Sequence, residues 1–167
     1  IAQAASGLLS QLVDLTAPDP VGPPISDQLT GLYAALGILG ALLARRETGQ
    51  GRRIDVSMLG ATLAFQPHAA AEYLMQGLVA DKTSRARVSQ SFGFVCRDGR
   101  ALAVHLSSPP KFWLALLAAL GREDLAAHPD YATKAARERN YIALRRELAI
   151  VFVRRARAEW LEVLRAS

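Results

Sequence analysis

The feature that most restricts this chain is a run of 16 residues, Leu29 to Ala44, with no charge and three glycines, Gly31, Gly37 and Gly40. Alanine and leucine dominate the run, so it reads as a helix from about Gln28 to Arg46. Each glycine costs such a helix about 1 kcal/mol relative to alanine. Glycine at that density predicts another backbone packed close against the helix. A bilayer span takes roughly 20 apolar residues, so the run reads as a tightly packed core helix and no membrane partner is expected. Upstream, "TAPDPVGPPIS" holds Pro18, Pro20, Pro23 and Pro24. They forbid helix there and stiffen the approach to one carboxylate at the helix mouth, Asp27.

Beyond the run, "ETGQGRR" is a turn, and the alternation in "RIDVSM" predicts a short strand. A second helix follows from about Met58 to Gln76, kinked at Pro67 and stopped by Gly77. The polar stretch "ADKTSRARVSQS" is the candidate boundary: residues 1–80 form one domain, 81–87 a linker and 88–167 a second. In the second domain, Asp-Gly between "FGFVC" and "ALAVHL" is a strong hairpin signal. "SSPPKFWLALLAALG" enters a helix through Ser and Pro and leaves it at Gly121. Helical turns follow in "REDLAA" and "HPDYATKAAR". One long helix, a break near Ala156 and a last helix with Trp160 complete the chain. The fold class is α+β, predominantly helical.

At 51% hydrophobic over 167 residues the chain can bury a real core, and its mean hydropathy of +0.14 fits that reading. Its single cysteine, Cys96, excludes an internal disulfide framework and fits a reducing, cytoplasmic setting. No secretory leader pattern opens the sequence. The net charge of +5 is concentrated between Lys134 and Ser167, which hold nine basic and four acidic residues. There Tyr141, Leu144, Leu148 and Val151 or Phe152 share one helix face while Arg145, Arg146 and Glu147 face away. That is a solvated face, and no nucleic-acid partner is expected. His68, His105, His128 and Cys96 lack metal-ligand spacing, so no metal site is expected. Neither a G-x-S-x-G elbow nor a phosphate-binding glycine loop is present. The chain opens at Ile1 and stops within or just after an amphipathic segment, "AEWLEVLRAS", which reads as part of a larger protein.

Asp27 is left with two readings. As an N-cap it accepts the first free helix N–H groups, worth about 1 kcal/mol. The same position holds an ionised carboxylate in apolar surroundings, where it could attack a reactive carbonyl. Spacing alone favours the cap and does not decide.

"ISDQLTGLYAALGILGALLARRETGQGRRIDVSM" resembles the central signature of the class III CoA-transferases. That superfamily includes formyl-CoA and carnitine CoA-transferases and the α-methylacyl-CoA racemases. The shared elements are Asp27 with Gly31, the Ala/Leu/Gly helix, Arg45, Thr48-Gly49-x-Gly51 and Asp55. The likeness continues through "FVCRDGRALAVHLSSPPKFW", "RNYIALRRELA" and "RAEWLEVL". It implies that residues 1–80 belong to the family's large Rossmann-like domain and the remainder to its small domain. It further implies that Asp27 is the catalytic aspartate and that coenzyme A thioesters and carboxylic acids are the substrates. No permanently bound cofactor is implied, and the full-length protein would be an interlocked homodimer. Gln3, in "AQAASG", matches the transferase version of that segment, and Gln90 is placed near the site, both as substrate or CoA contacts. The racemases use the matching aspartate for proton transfer and bring in a glutamate after the hairpin; Gly99 to Arg122 contains no Asp or Glu, which favours a transferase. "ARVSQSFGF" lacks the glycine-rich loop of the formyl-CoA enzymes, so oxalate or formate chemistry is not expected. A fragment without the family's N-terminal CoA contacts is expected to be inactive alone. A truncated helical module with Asp27 as a mere cap is the non-enzymatic alternative.

Overall fold

The computed structural model describes residues 1–14, 16, 17, 19, 22–106 and 109–166. Pro18 and Pro20, expected to stiffen the approach to Asp27, lie outside the described residues, as do Ser107 and Ser108 of the expected helix entry. Of the described residues 61% are helical and ten form one small sheet, and the chain divides into two compact units, Ile1–Ser84 and Arg85–Ser167.

In the first unit, α1 (Ala2–Ala5) and a 3-10 turn at Leu9–Gln11 precede α2 (Ile25–Thr48). Then come α3 (Met58–Phe65) and α4 (Pro67–Gln76). α2 ends where Gly49 turns left-handed at φ 70° and its N–H returns to the Arg45 carbonyl. Among the described residues no backbone packs close against the three glycines, and only Gly37 has a near neighbour, the Ile54 side chain. A Cβ on Gly37 would lie 2.8 Å from Ile54, whereas Gly31 and Gly40 face open space. The expected single kinked helix is two helices, because Gln66 (φ −120°, ψ 52°) leaves helical geometry ahead of Pro67.

Within the described residues α2 is not a packed core helix. Of the 24 residues of α2 only Ser26 is buried, and Leu32, Leu36, Leu39 and Leu43 are each more than half exposed. By length and composition alone α2 could cross a bilayer. Its apolar exposure continues onto Leu63 and Phe65 of α3 and Tyr73, Leu74 and Met75 of α4. Those helices have 8 and 10 residues, too short to span. The expected strand at "RIDVSM" is also absent: residues 51–57 have no strand partner among the described residues and run as irregular backbone.

The second unit has a core of its own. After α5 (Ser84–Ser89), β1 (Ser91–Val95) and β2 (Ala101–His105) pair antiparallel, with Phe92 opposite Val104 and Phe94 opposite Leu102. Gly99 at φ 72° makes the turn. α6 (Pro110–Leu120), α7 (Lys134–Arg139), α8 (Tyr141–Phe152) and α9 (Arg157–Ala166) follow. Alternation puts Phe92, Phe94 and Leu102 on one sheet face, where they join Trp113, Leu117, Leu144, Leu148, Phe152 and Trp160. Phe94 stacks on Phe152 at 4.2 Å between ring centroids, and the Trp160 indole N–H donates to the Phe152 carbonyl at 2.8 Å. Arg145 and Arg146 are exposed while Leu144 and Leu148 are sealed, as the helical spacing predicts.

Candidate functional site

Asp27 lies in the first turn of α2, but it is not the cap. The helix starts at Ile25 with Pro24 in the cap position and no side-chain cap bond, so Asp27 is the third helical residue. Among the described residues its exposed carboxylate has no hydrogen-bond or ion-pair partner. The surrounding first-turn N–H groups and the helix dipole concentrate positive potential there.

The turn that carries Asp27 is fastened from beneath. Ser26 is buried, its hydroxyl meets that of Thr62 on α3 at 2.8 Å, and its carbonyl accepts from Thr30 Oγ1 at 2.6 Å. Thr62 also reaches the Met58 carbonyl at 2.8 Å, and α3 is itself started by Ser57, whose Oγ accepts from the Gly60 N–H at 3.1 Å. The sequence reading passed over Ser26 and Thr62. The available signal was a hydroxyl at the centre of the otherwise apolar "MLGATLAF", where only a buried partner makes it worth keeping.

Gln3 lies on α1, which packs against α3 and α2. Its Nε2 is buried and has no hydrogen-bond partner among the described residues. The segment around it is held by Gln66, whose Nε2 donates to the Ser6 carbonyl at 2.7 Å and whose Oε1 accepts from Gln11.

Gln90 belongs to the second unit and is 1% exposed. It follows α5 at φ 50°, a left-handed position usually given to glycine. A side chain is needed there: Oε1 accepts from Arg137 Nε at 2.9 Å and Nε2 donates to the Arg87 carbonyl at 2.8 Å. Arg137 also donates to the Tyr131 carbonyl at 3.0 Å and stacks over Trp113 at 4.7 Å. Burial pushes its guanidinium down from the ordinary value. The Gln90 amide is thus spent within its own unit.

The histidines are dispersed. His68 lies 3.7 Å from Glu72, His105 is exposed at the end of β2, and His128 stacks on Tyr131. The Cys96 thiol is buried and its pKa is raised by desolvation. Among the described residues no group of three His, Cys, Asp or Glu converges.

The sequence profile of CoA-transferase family III matches residues 1–167. The chain belongs to that family. It is 30% identical to acetyl-CoA:oxalate CoA-transferase of Acetobacter aceti over 98% of this chain and 43% of that protein. It is 29% identical to human succinyl-CoA:glutarate CoA-transferase over 98% of this chain and 39% of that protein. Among solved structures, Rv3272 of M. tuberculosis superimposes with a TM-score of 0.76 at 24% identity, over 99% of this chain and 42% of that one. A CAIB/BAIF family protein of Brucella suis does so equally, over 99% and 44%. The family III chain therefore spans about two fifths of the length of these relatives.

Proposed function

We propose that the protein containing this chain transfers coenzyme A from an acyl-CoA donor to a carboxylic acid, with Asp27 as the covalent nucleophile. The observation that carries this reading is a free, exposed carboxylate in the first turn of α2, anchored through its neighbour Ser26, in a chain of CoA-transferase family III.

An Asp27 oxygen attacks the thioester carbonyl. The C–S bond breaks, its electron pair leaves on the CoA thiolate, and an aspartyl mixed anhydride remains. The thiolate then attacks the aspartyl carbon and expels the donor acid, which gives an aspartyl-CoA thioester. The acceptor carboxylate attacks that same carbon, releases the thiolate and forms a second anhydride. Attack of the thiolate on the acceptor's carbonyl yields the new acyl-CoA and restores Asp27. Gln3 is proposed as a donor to substrate, since its buried Nε2 lacks a partner. No substrate role is proposed for Gln90.

The exposed apolar face of α2 supports a further part of the reading, that chain outside these residues or a second subunit covers it. The isolated 167-residue piece is then inactive. The cap-only alternative is disfavoured because Pro24, not Asp27, occupies the cap position.

Asp27→Asn tests the chemistry in the full-length protein. Asparagine keeps the shape but cannot form the anhydride, so kcat should fall by about a thousandfold or more with the protein still folded. Retention of a tenth or more of the activity would rule the nucleophile out.

A further inference from the structure

The reading above leaves the acyl group open, and a groove in the Asp27-bearing unit bears on it. The groove has a volume of about 670 Å³ and is lined by Ala5 of α1, Leu63 of α3, Ala70, Tyr73 and Leu74 of α4, and Leu78 beyond it. That volume lies within the roughly 300–1,000 Å³ of small-molecule sites. Leu63 follows Thr62, the residue that fastens the Asp27 turn, so α3 serves both the carboxylate and the groove. The next residues after Gln3, Ala4 and Ala5, also line it.

No charged side chain lines this groove; of its polar ones, Tyr73 keeps a hydroxyl with no hydrogen-bond partner among the described residues, and the others are engaged. The Ser10 hydroxyl reaches the Ala80 carbonyl at 2.7 Å and the Gly7 carbonyl at 2.8 Å. Gln66 Nε2 donates to the Ser6 carbonyl at 2.7 Å, and Gln11 donates to Gln66 Oε1. A second carboxylate on a short dicarboxylic acyl group needs a cation or a cluster of free donors when it leaves water. This lining supplies neither, while methylene groups need only its apolar walls. We infer that the groove takes the acyl chain of the donor thioester, and that this chain is uncharged, apolar and at least of medium length. The inference rests on the CoA-transfer reading.

The test uses the full-length protein with one fixed acceptor and a series of acetyl, butyryl, hexanoyl, octanoyl and succinyl thioesters. For wild type, kcat/KM is expected to climb about threefold per methylene up to octanoyl, as partial burial of each methylene provides. Succinyl is expected to fall below butyryl. Leu78→Trp and, separately, Ala70→Leu narrow the groove, and each should lower the octanoyl-to-acetyl ratio at least tenfold. Because the readout is a ratio within one preparation, a general folding defect does not mimic it. A flat series, a preference for succinyl, or a ratio unchanged in both variants overturns the inference and leaves the groove to another part of the parent chain. If acetyl-CoA still modifies Asp27 in that event, only the groove assignment fails. Absence of transfer and of Asp27 modification with every thioester sinks both.

Discussion

The hydroxyls of Ser26 and Thr62 meet 2.8 Å apart inside the first unit, one residue from the carboxylate proposed to do the chemistry. Thr62 has a single proton and two neighbours, the Met58 carbonyl and Ser26. When that proton points at Met58, the proton of Ser26 completes the contact. The pair ties the start of α2 to α3 and so sets where Asp27 stands.

Removing Thr62 is expected to do more harm than removing Ser26. Thr62→Val leaves the buried Ser26 hydroxyl without this partner, at about 1–3 kcal/mol. Ser26→Ala leaves Thr62 bonded to Met58 and costs about 1 kcal/mol. In the full-length protein Thr62→Val should lower kcat about 10- to 100-fold, because small displacements of a nucleophile are costly. The double variant should recover part of the lost stability. Denaturant midpoints and steady-state kinetics check this, and equal losses in both single variants would contradict it.

In the second unit, Arg137 is 7% exposed and holds its charge among neutral partners. Gln90→Leu removes one acceptor from a buried cation and should cost about 2–3 kcal/mol. Gln90→Gly relieves the left-handed backbone but also removes the acceptor, so it should destabilise as well. Arg137→Lys should not rescue either, since one ammonium cannot reproduce the planar fork that serves Gln90 and Tyr131 together. Denaturant unfolding followed by the fluorescence of Trp113 and Trp160 reports all three. Unchanged midpoints would refute the keystone role.

Asp124 gives a pH-dependent expectation. Its side-chain hydrogen bond from Arg122 holds its carboxyl below the ordinary value. A depressed carboxylate stabilises the fold above its unfolded pKa, about 3.9, and the contribution is lost as pH falls through the lower folded value. Wild type should therefore be more stable than Asp124→Asn near pH 7, and the gap should close as pH drops below about 4. The carboxylate is exposed, so the gap should also shrink with salt. Thermal unfolding of both proteins between pH 7 and pH 3 measures it, and a gap independent of pH would contradict the assignment.

Local signals in the sequence carried much of the fold. Asp98-Gly99 marked the hairpin, Gly77 and Gly121 stopped their helices, and the spacing of Tyr141, Leu144 and Leu148 fixed the buried face of α8. Properties that depend on distant chain were not legible. α2 reads as a core helix because Leu36 and Leu39 are apolar, but among the described residues nothing covers them. "RIDVSM" alternates like a strand, but among the described residues no strand lies beside it. Asp27 was identifiable as the carboxylate at the helix mouth, yet an error of three residues in the helix start made it look like a cap. Gln90 was singled out for a site and is a buried acceptor for Arg137, a pairing across 47 residues that no local pattern signals.

The central claim is covalent chemistry at Asp27, and trapping tests it most directly. Full-length protein is incubated with a panel of acyl-CoA thioesters, quenched with hydroxylamine and mapped by peptide mass spectrometry. A hydroxamate on Asp27 that appears only with thioester is the expected result, and the thioester that produces it identifies the donor. An unmodified Asp27 across the panel, in protein that still exchanges CoA, would show that the carboxylate is not the nucleophile.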